Sequence, residues 1–187
     1  MQFSIKKILI IVAVILTLGL AYKYYKKAKD TEKLKLASVS LKTDNKIDTI
    51  GELVEIFQNG LILKGFITVR NFSDQDYQIS QLSLDGFTPK TQKNIAQQTN
   101  ILQHNISVKA KQETAIPLQF KVDTVKALDL FKESGVIPEN FTIWEIITNP
   151  LEAYENIKIE KLKILIKGFI EAEGITLNIN KEISLYN

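Results

Sequence analysis

KLKILIKGFIEAEGITLNINKEISLYN, residues 161–187, decides the fold, because its apolar side chains recur at every second position. A period of two is the pattern of a β-strand with one buried face. We expect Glu173-Gly174 to form the turn between two strands. The predicted core-facing residues are Leu162, Ile164, Ile166, Gly168 and Ile170, then Ile175, Leu177, Ile179, Ile183 and Leu185.

The same period extends backwards to about residue 36. Between residues 77 and 84 the alternation shifts by one, which predicts a β-bulge near Ser80 or Gln81. Residues 116–122 alternate cleanly, and Pro117, which cannot donate to a ladder, places that strand at an edge or at its own start. On one face of residues 61–69 lie Leu61, Leu63, Gly65, Ile67 and Val69. Many short alternating strands are typical of a β-sandwich.

One helical insertion interrupts the strands. Asp123 or Thr124 can cap a helix that Gly135 ends, and residues 142–145 read Thr-Ile-Trp-Glu, which fits a capping box. We therefore predict a mainly β protein with a short helical insertion at about residues 123–156. The aromatic residues expected to cover one end or face of the sandwich are Phe131, Trp144 and Tyr154.

Residues 8–22 read ILIIVAVILTLGLAY and carry no charge. A membrane-spanning helix needs about 20 mainly apolar residues, and interfacial tyrosines and snorkelling lysines can complete a short run. The predicted organisation is an N-terminal tail (1–7), a transmembrane helix (8–25), a helical stalk (26–35) and a β-sandwich domain (36–187). A cleaved signal peptide and a buried core helix are the alternatives.

The predicted anchor divides into apolar and basic positions. The apolar ones are Ile8, Ile11, Ile15, Leu18, Tyr22 and Tyr25. The lysines expected near lipid head groups are Lys6, Lys7, Lys23, Lys26 and Lys27. More lysines follow the apolar run than precede it, which favours the cytoplasmic side for the domain, although a short tail that begins inside would reverse the orientation. The side stays open.

Composition limits the chemistry. The 187 residues include no Cys and one His, which excludes disulfides, thiolate zinc sites and His-rich metal centres. The net charge of +3 is too small to indicate nucleic acid. His104 has no evident catalytic partner, and Asp74 and Asp76 are expected to be solvated turn residues. We expect no enzymatic activity, no cofactor and no metal.

A short sequence is repeated within the chain. LKGFI at residues 63–67 resembles IKGFI at residues 166–170. In both copies the phenylalanine points away from the predicted core, so Phe66 and Phe169 would form one exposed apolar patch if their strands were neighbours. Such a patch would dock a protein or a lipid. The alternative is that the helical insertion buries it.

LILKGFITVRNFS, DYQISQLSLDGF and NISVKAKQETAIPLQFKV, between residues 61 and 122, resemble the group 2 late-embryogenesis-abundant family, also called the water-stress-and-hypersensitive-response (WHy) domain. Asn71 matches the family asparagine that ends a strand, whereas Phe72 and Ser73 replace the usual Pro and Asn. The resemblance implies an immunoglobulin-like or fibronectin-like sandwich without catalytic residues. Some members carry an N-terminal membrane helix, and members are associated with desiccation tolerance, defence signalling or, in distant relatives, lipid handling.

The sequence thus favours a non-enzymatic, single-pass membrane protein with a structural or interaction role. We expect it in a larger membrane-associated assembly, for example a secretion apparatus or a membrane-containing virion. Its expected partners are membrane lipid and other proteins of the assembly, without nucleic acid. The alternative is a stress-protection or lipid-handling protein that acts at the bilayer surface.

Overall fold

The fold is mainly β, with antiparallel strands that form one eight-stranded sheet and few helices. The computed structural model describes residues 13–22, 25, 33–44, 47, 49–99, 106–149, 151, 155 and 157–186. The strands are β1 Leu34–Thr43, β2 Leu61–Asn71, β3 Tyr77–Phe87, β4 Asn94–Gln98, β5 Ile106–Val108, β6 Glu113–Val122, β7 Lys163–Ala172 and β8 Ile175–Ser184. The helices are α1 Ile50–Asn59, α2 Thr124–Ser134 and α3 Ile143–Thr148, with a 3-10 turn at Ile159–Lys161.

The strands lie in the order β1-β2-β6-β4-β3-β7-β8, and β5 pairs with β3. The short strand β4 joins two larger groups, which we call the first unit (β1, β2 and β6) and the second unit (β3, β7 and β8). The buried side chains of both units belong to one hydrophobic core. The terminal strands β1 and β8 also contact each other.

The predicted strand faces are confirmed. Leu63 and Ile164 are fully buried, as are most of the other apolar residues predicted to face the core. The register between β3 and β7 shifts between Ile79 and Gln81, at the predicted bulge. Glu173 and Gly174 form the turn between β7 and β8, with φ values of 48° and 82°.

Pro117 differs from its prediction, because β6 lies between β2 and β4 and the proline is in mid-strand. The carbonyl of Gln119 accepts from Thr99 on the β4 side, at 2.8 Å. Alternate residues of a strand direct their backbone groups to the same side, so the ring nitrogen of Pro117 also points there. The paired part of β4 reaches only Phe120 to Val122. Pro117 therefore interrupts no pairing with β4.

The helices pack at one end of the sheet. Asp123 and Gly135 bound α2 as predicted, and Thr142 and Glu145 form the predicted capping box of α3. Phe131 is fully buried. Trp144 is 72% exposed, so the prediction that it covers one end or face of the domain was wrong. Tyr154 lies outside the described residues.

Helix α1 was not predicted. Its buried residues Leu53, Ile56 and Phe57 follow helical spacing, and Thr49 begins the helix with a capping box. The Phe57 ring packs edge-to-face on Phe131, with centroids 5.4 Å apart. Helices α1 and α2 therefore close the core together.

Residues 13–22 and 25 are helical. Within the described part of the chain, no helix has the length and apolar character needed to cross a membrane. The rest of the predicted anchor and most of the predicted stalk lie outside that part. Strand β1 begins at Leu34, which is 1% exposed, so the last two residues assigned to the stalk belong to the sheet.

Candidate functional site

The repeated KGF sequence corresponds to a repeated backbone arrangement. Gly65 of β2 lies opposite Leu41, and a Cβ atom on it would be 1.9 Å from the carbonyl oxygen of Ser40. Gly168 of β7 lies opposite Leu84, and its Cβ would be 2.0 Å from the carbonyl oxygen of Ser83. Only glycine permits either approach.

The outward rows of the two units differ in chemistry. Across the first unit the two central rows are Ser40, Phe66 and Pro117, then Lys42, Lys64 and Gln119. Across the second unit they are Ser83, Phe169 and Asn178, then Asp85, Lys167 and Asn180. The first unit therefore places two lysines opposite each other, whereas the second unit places an acid opposite a lysine.

Phe66 and Phe169 do not form one patch. Their strands β2 and β7 belong to different units, with three strands between them. Phe66 is 53% exposed, whereas Phe169 is partly buried. The helical insertion does not bury Phe66 either. The single docking patch expected from the sequence is thus replaced by an exposed phenylalanine on the first unit.

A groove of about 520 Å³ surrounds Phe66 on the outer face of the first unit. Phe66 and Pro117 are its exposed apolar side chains. The Lys64 ammonium lies 2.7 Å from the Asp44 carboxylate, whereas Lys42 makes no ion pair with any residue that the structure describes. Like charges at directly opposite positions of a sheet are unfavourable. Asp44 compensates the Lys64 ammonium but not that of Lys42, so an anion would be attracted to Lys42.

The same face continues towards the start of β1. Phe72 is 45% exposed, and the Arg70 guanidinium and the Lys35 ammonium lie 4.9 and 5.7 Å from its ring centroid. We call this surface, with Phe66, Phe72 and Pro117, the basic face. Its basic side chains are Lys35, Lys42, Lys64, Arg70 and Lys121, and its acidic ones are Asp44 and Glu113.

Asn71, at the end of β2, has a structural role. It is 1% exposed, and its Nδ2 donates to the carbonyls of Gln75 (2.7 Å) and Val108 (3.1 Å). Its Oδ1 accepts from the backbone N–H and the hydroxyl of Ser73, both at 2.8 Å. Although Asn71 begins an Asn-x-Ser sequence, its buried and bonded Nδ2 is unsuited to glycosylation.

The acidic turn residues Asp74 and Asp76 bind residues of the turn between β5 and β6. Asp76 accepts from the Lys109 ammonium at 2.7 Å and from the Ala110 N–H at 2.8 Å, and these bonds lower its pKa. Asp74 pairs with Lys111 at 3.2 Å. Among the described residues, no three His, Asp or Glu side chains form a group that could hold a metal ion. His104 lies outside that set.

A second pocket, of about 350 Å³, lies beyond the C-terminal end of α2. Its charged lining residues are Lys90, Lys132, Glu139, Lys158 and Lys161. Glu139 lies 3.8 Å from Lys90. This pocket is open and its side chains are mostly exposed to water, so screening weakens their field.

Three large apolar residues of the helical insertion are exposed. Val125, Trp144 and Leu151 are 64%, 72% and 69% exposed. Of the predicted anchor residues, the structure describes Ile15, Leu18, Tyr22 and Tyr25, which are helical and exposed. Those outside the described residues are Ile8, Ile11, Lys6, Lys7, Lys23, Lys26 and Lys27.

No family model matches the chain, and no curated protein matches it in sequence. Among solved structures, a protein from Archaeoglobus fulgidus is similar at 13% identity and TM-score 0.39, over 80% of this chain and 97% of that one. A FixG-related protein from Vibrio parahaemolyticus is similar at 10% identity and TM-score 0.37, over 81% and 95%. The GH2 beta-galacturonidase from Eisenbergiella tayi, bound to galacturonate, is similar at 13% identity and TM-score 0.37, over 82% of this chain and 19% of that one.

Proposed function

We propose that this chain is a non-enzymatic, single-pass membrane-anchored β-domain with an interaction role in a larger membrane-associated assembly, such as a secretion apparatus or a membrane-containing virion. The anchor is residues 8–25, as the uncharged run with flanking lysines indicates. The domain is proposed to be an immunoglobulin-like or fibronectin-like sandwich, related to the WHy family. In support, two strand units share one core, and Asn71 ends β2.

The observation that carries the interaction role is the position of exposed Trp144. Leu34, where the chain enters the domain, lies opposite Asn71 at the far end of β2. Helices α1 and α2 adjoin the other end of that strand, at Leu61 and Val122, and α3 contacts α1. Eleven residues of strand separate the two ends, about 35 Å. The chain would thus present an exposed tryptophan, a residue enriched at interface hot spots, at the end of the domain opposite the anchor.

A photo-crosslinker at Thr148, which is exposed one helical turn after Trp144, tests this role in the native membrane. We expect a stoichiometric cross-link to one protein, and Trp144→Ala should abolish co-purification of that protein without unfolding the domain, because the side chain is exposed. Asn180, outward on the second unit, is the matched control position. A monodisperse monomer in detergent with no cross-linked neighbour would contradict the assembly role.

The anchor is tested separately by carbonate washing. We expect the full chain to stay with the membrane pellet, since an integral helix resists extraction. Release of the intact chain into the supernatant would refute the anchor while leaving the partner experiment informative. Protease accessibility in intact and opened membranes would then establish the side of the domain.

A second candidate is lipid handling or stress protection at the bilayer surface, which the groove beside Phe66 favours. It predicts that lipid co-purifies with the chain and is lost in Phe66→Ser. If the purified chain carries no lipid, this candidate is eliminated.

A further inference from the structure

We propose that the basic face binds anionic phospholipid head groups, so that the first unit lies against the bilayer. This inference rests on the proposed anchoring, which keeps the domain beside the membrane. It adds a specific lipid site and a specific orientation of the domain to that proposal.

The charges on this face favour an anion. Lys42 and Lys64 are directly opposite on β1 and β2, and the corresponding row of the second unit carries Asp85 opposite Lys167. The repeated backbone therefore does not require two opposed lysines, because the second unit has the same arrangement with an acid opposite a lysine. Asp44 already accepts the Lys64 ammonium at 2.7 Å, so the charge that a lipid phosphate would neutralise is that of Lys42, which makes no ion pair with any described residue. Polybasic surfaces next to a bilayer attract anionic lipids in this way.

The apolar residues of the face suit the interface between water and lipid. Phe66 and Phe72 are both about half exposed, and each is flanked by basic side chains. Surfaces that combine aromatic side chains with Lys and Arg bind at the boundary of head groups and acyl chains.

The face begins where the chain enters the domain. The Phe72 N–H donates to the carbonyl of Lys33 at 2.7 Å, and Lys33 directly precedes β1. The basic sequence after the predicted anchor thus continues along the strand: Lys23, Lys26, Lys27, Lys29, Lys33, Lys35 and Lys42. The short connection from the anchor would keep this end of the face within reach of the head groups.

The absence of cysteine permits a matched experiment. Ser40 and Ser83 are exposed and occupy equivalent positions, opposite Phe66 and Phe169. Full-length Ser40→Cys and Ser83→Cys are labelled with an environment-sensitive fluorophore and reconstituted in phosphatidylcholine vesicles, with or without phosphatidylglycerol. We expect a blue shift at position 40 only with phosphatidylglycerol, reversed by high salt, and no shift at position 83. Adding Lys42→Asp should weaken the response about fivefold or more.

Equal spectra at position 40 in the two vesicles would overturn the proposal, as would equal shifts at positions 40 and 83, which indicate unspecific adsorption. A shift that requires an added acidic protein would reassign the face to protein docking. Flotation with neutral vesicles tests the anchor independently. If the chain does not float with them, salt-sensitive flotation with phosphatidylglycerol vesicles that Lys42→Asp abolishes would still support the lipid site, and its absence would refute it.

Discussion

The first and second units contain the same backbone arrangement but present different outer surfaces. In each, a KGF glycine lies against the carbonyl of a serine and opposite a buried leucine. The outward rows then diverge, with two opposed lysines and a proline on one unit and an acid, a lysine and asparagines on the other. Packing therefore constrains the inward half of the repeat, and the outward half is available for binding.

The largest expected effect tests whether the inward halves are equivalent. Leu41 and Leu84 are 1% and 2% exposed, and replacing either by alanine leaves a cavity in the shared core. We expect Leu41→Ala and Leu84→Ala each to lower the free energy of unfolding by about 2–5 kcal/mol. Denaturant unfolding measures both values. A loss confined to one variant would show that the two units do not share one core.

The glycines sharpen the comparison. An added Cβ at Gly65 or Gly168 would overlap a backbone carbonyl, and overpacking of this kind costs about 1–3 kcal/mol. Gly168 also has φ of 147°, which disfavours other residues, so Gly168→Ala should destabilise more than Gly65→Ala. Thermal melts of the two variants measure the difference. Unchanged melting of Gly65→Ala would contradict the close approach on the first unit.

Exchanging the outward charges tests the divergence directly. Lys42→Asp removes a like charge opposite Lys64, which Asp44 already compensates, and Asp85→Lys places a like charge opposite Lys167. Opposed charges in sheets are worth about 0.2–1 kcal/mol, so the two variants should shift the free energy of unfolding in opposite directions. Denaturant titration at low salt measures both. Shifts of the same sign would mean that other charges control these rows.

The smallest expected effect concerns a hydrogen-bonded turn that follows β3, a strand of the second unit. After β3, the Glu133 carboxylate accepts from the N–H groups of Lys90 and Thr91 at 3.1 and 2.8 Å. Burial alone would raise the pKa of Glu133, but bonds from Thr91, Thr88 and Lys90 outweigh it and lower the pKa below the ordinary 4.5.

A carboxyl with a lowered pKa stabilises the fold above its unfolded pKa, and this contribution is lost as the pH falls through the folded value. The wild type should thus exceed Glu133→Gln in stability at neutral pH, by less than about 1 kcal/mol because Glu133 is only partly buried. The difference should shrink below about pH 4.5. Urea titrations across this range measure it, and a difference that grows in acid would contradict the assignment.

The strand faces could be predicted from sequence because burial on one side of a strand leaves a period of two. Helix α1 could not be predicted so readily. Thr49 and Glu52 have capping-box spacing, but Gly51 lies in the first turn and disfavours a helix. Burial of Leu53, Ile56 and Phe57 stabilises it, and the partner of Phe57 is Phe131, which is far away in sequence.

The candidate site was predicted only in part. Phe66 was identified because its LKGFI sequence is repeated and its side chain falls on the outward face. Its separation from Phe169 depends on a strand order that local sequence does not encode. Lys42 was not singled out, since its position opposite Lys64 follows from the register of two strands. Such long-range pairings decide which charges meet.

The contact between β1 and β8 matters where many copies of the chain lie close together. These are the terminal strands of the order, and they contact each other. An uncovered outer strand is a template on which a second copy can extend the ladder, the first step towards fibres. Because β1 and β8 shield each other, such growth would be hindered even where anchoring concentrates many copies in the plane of a membrane.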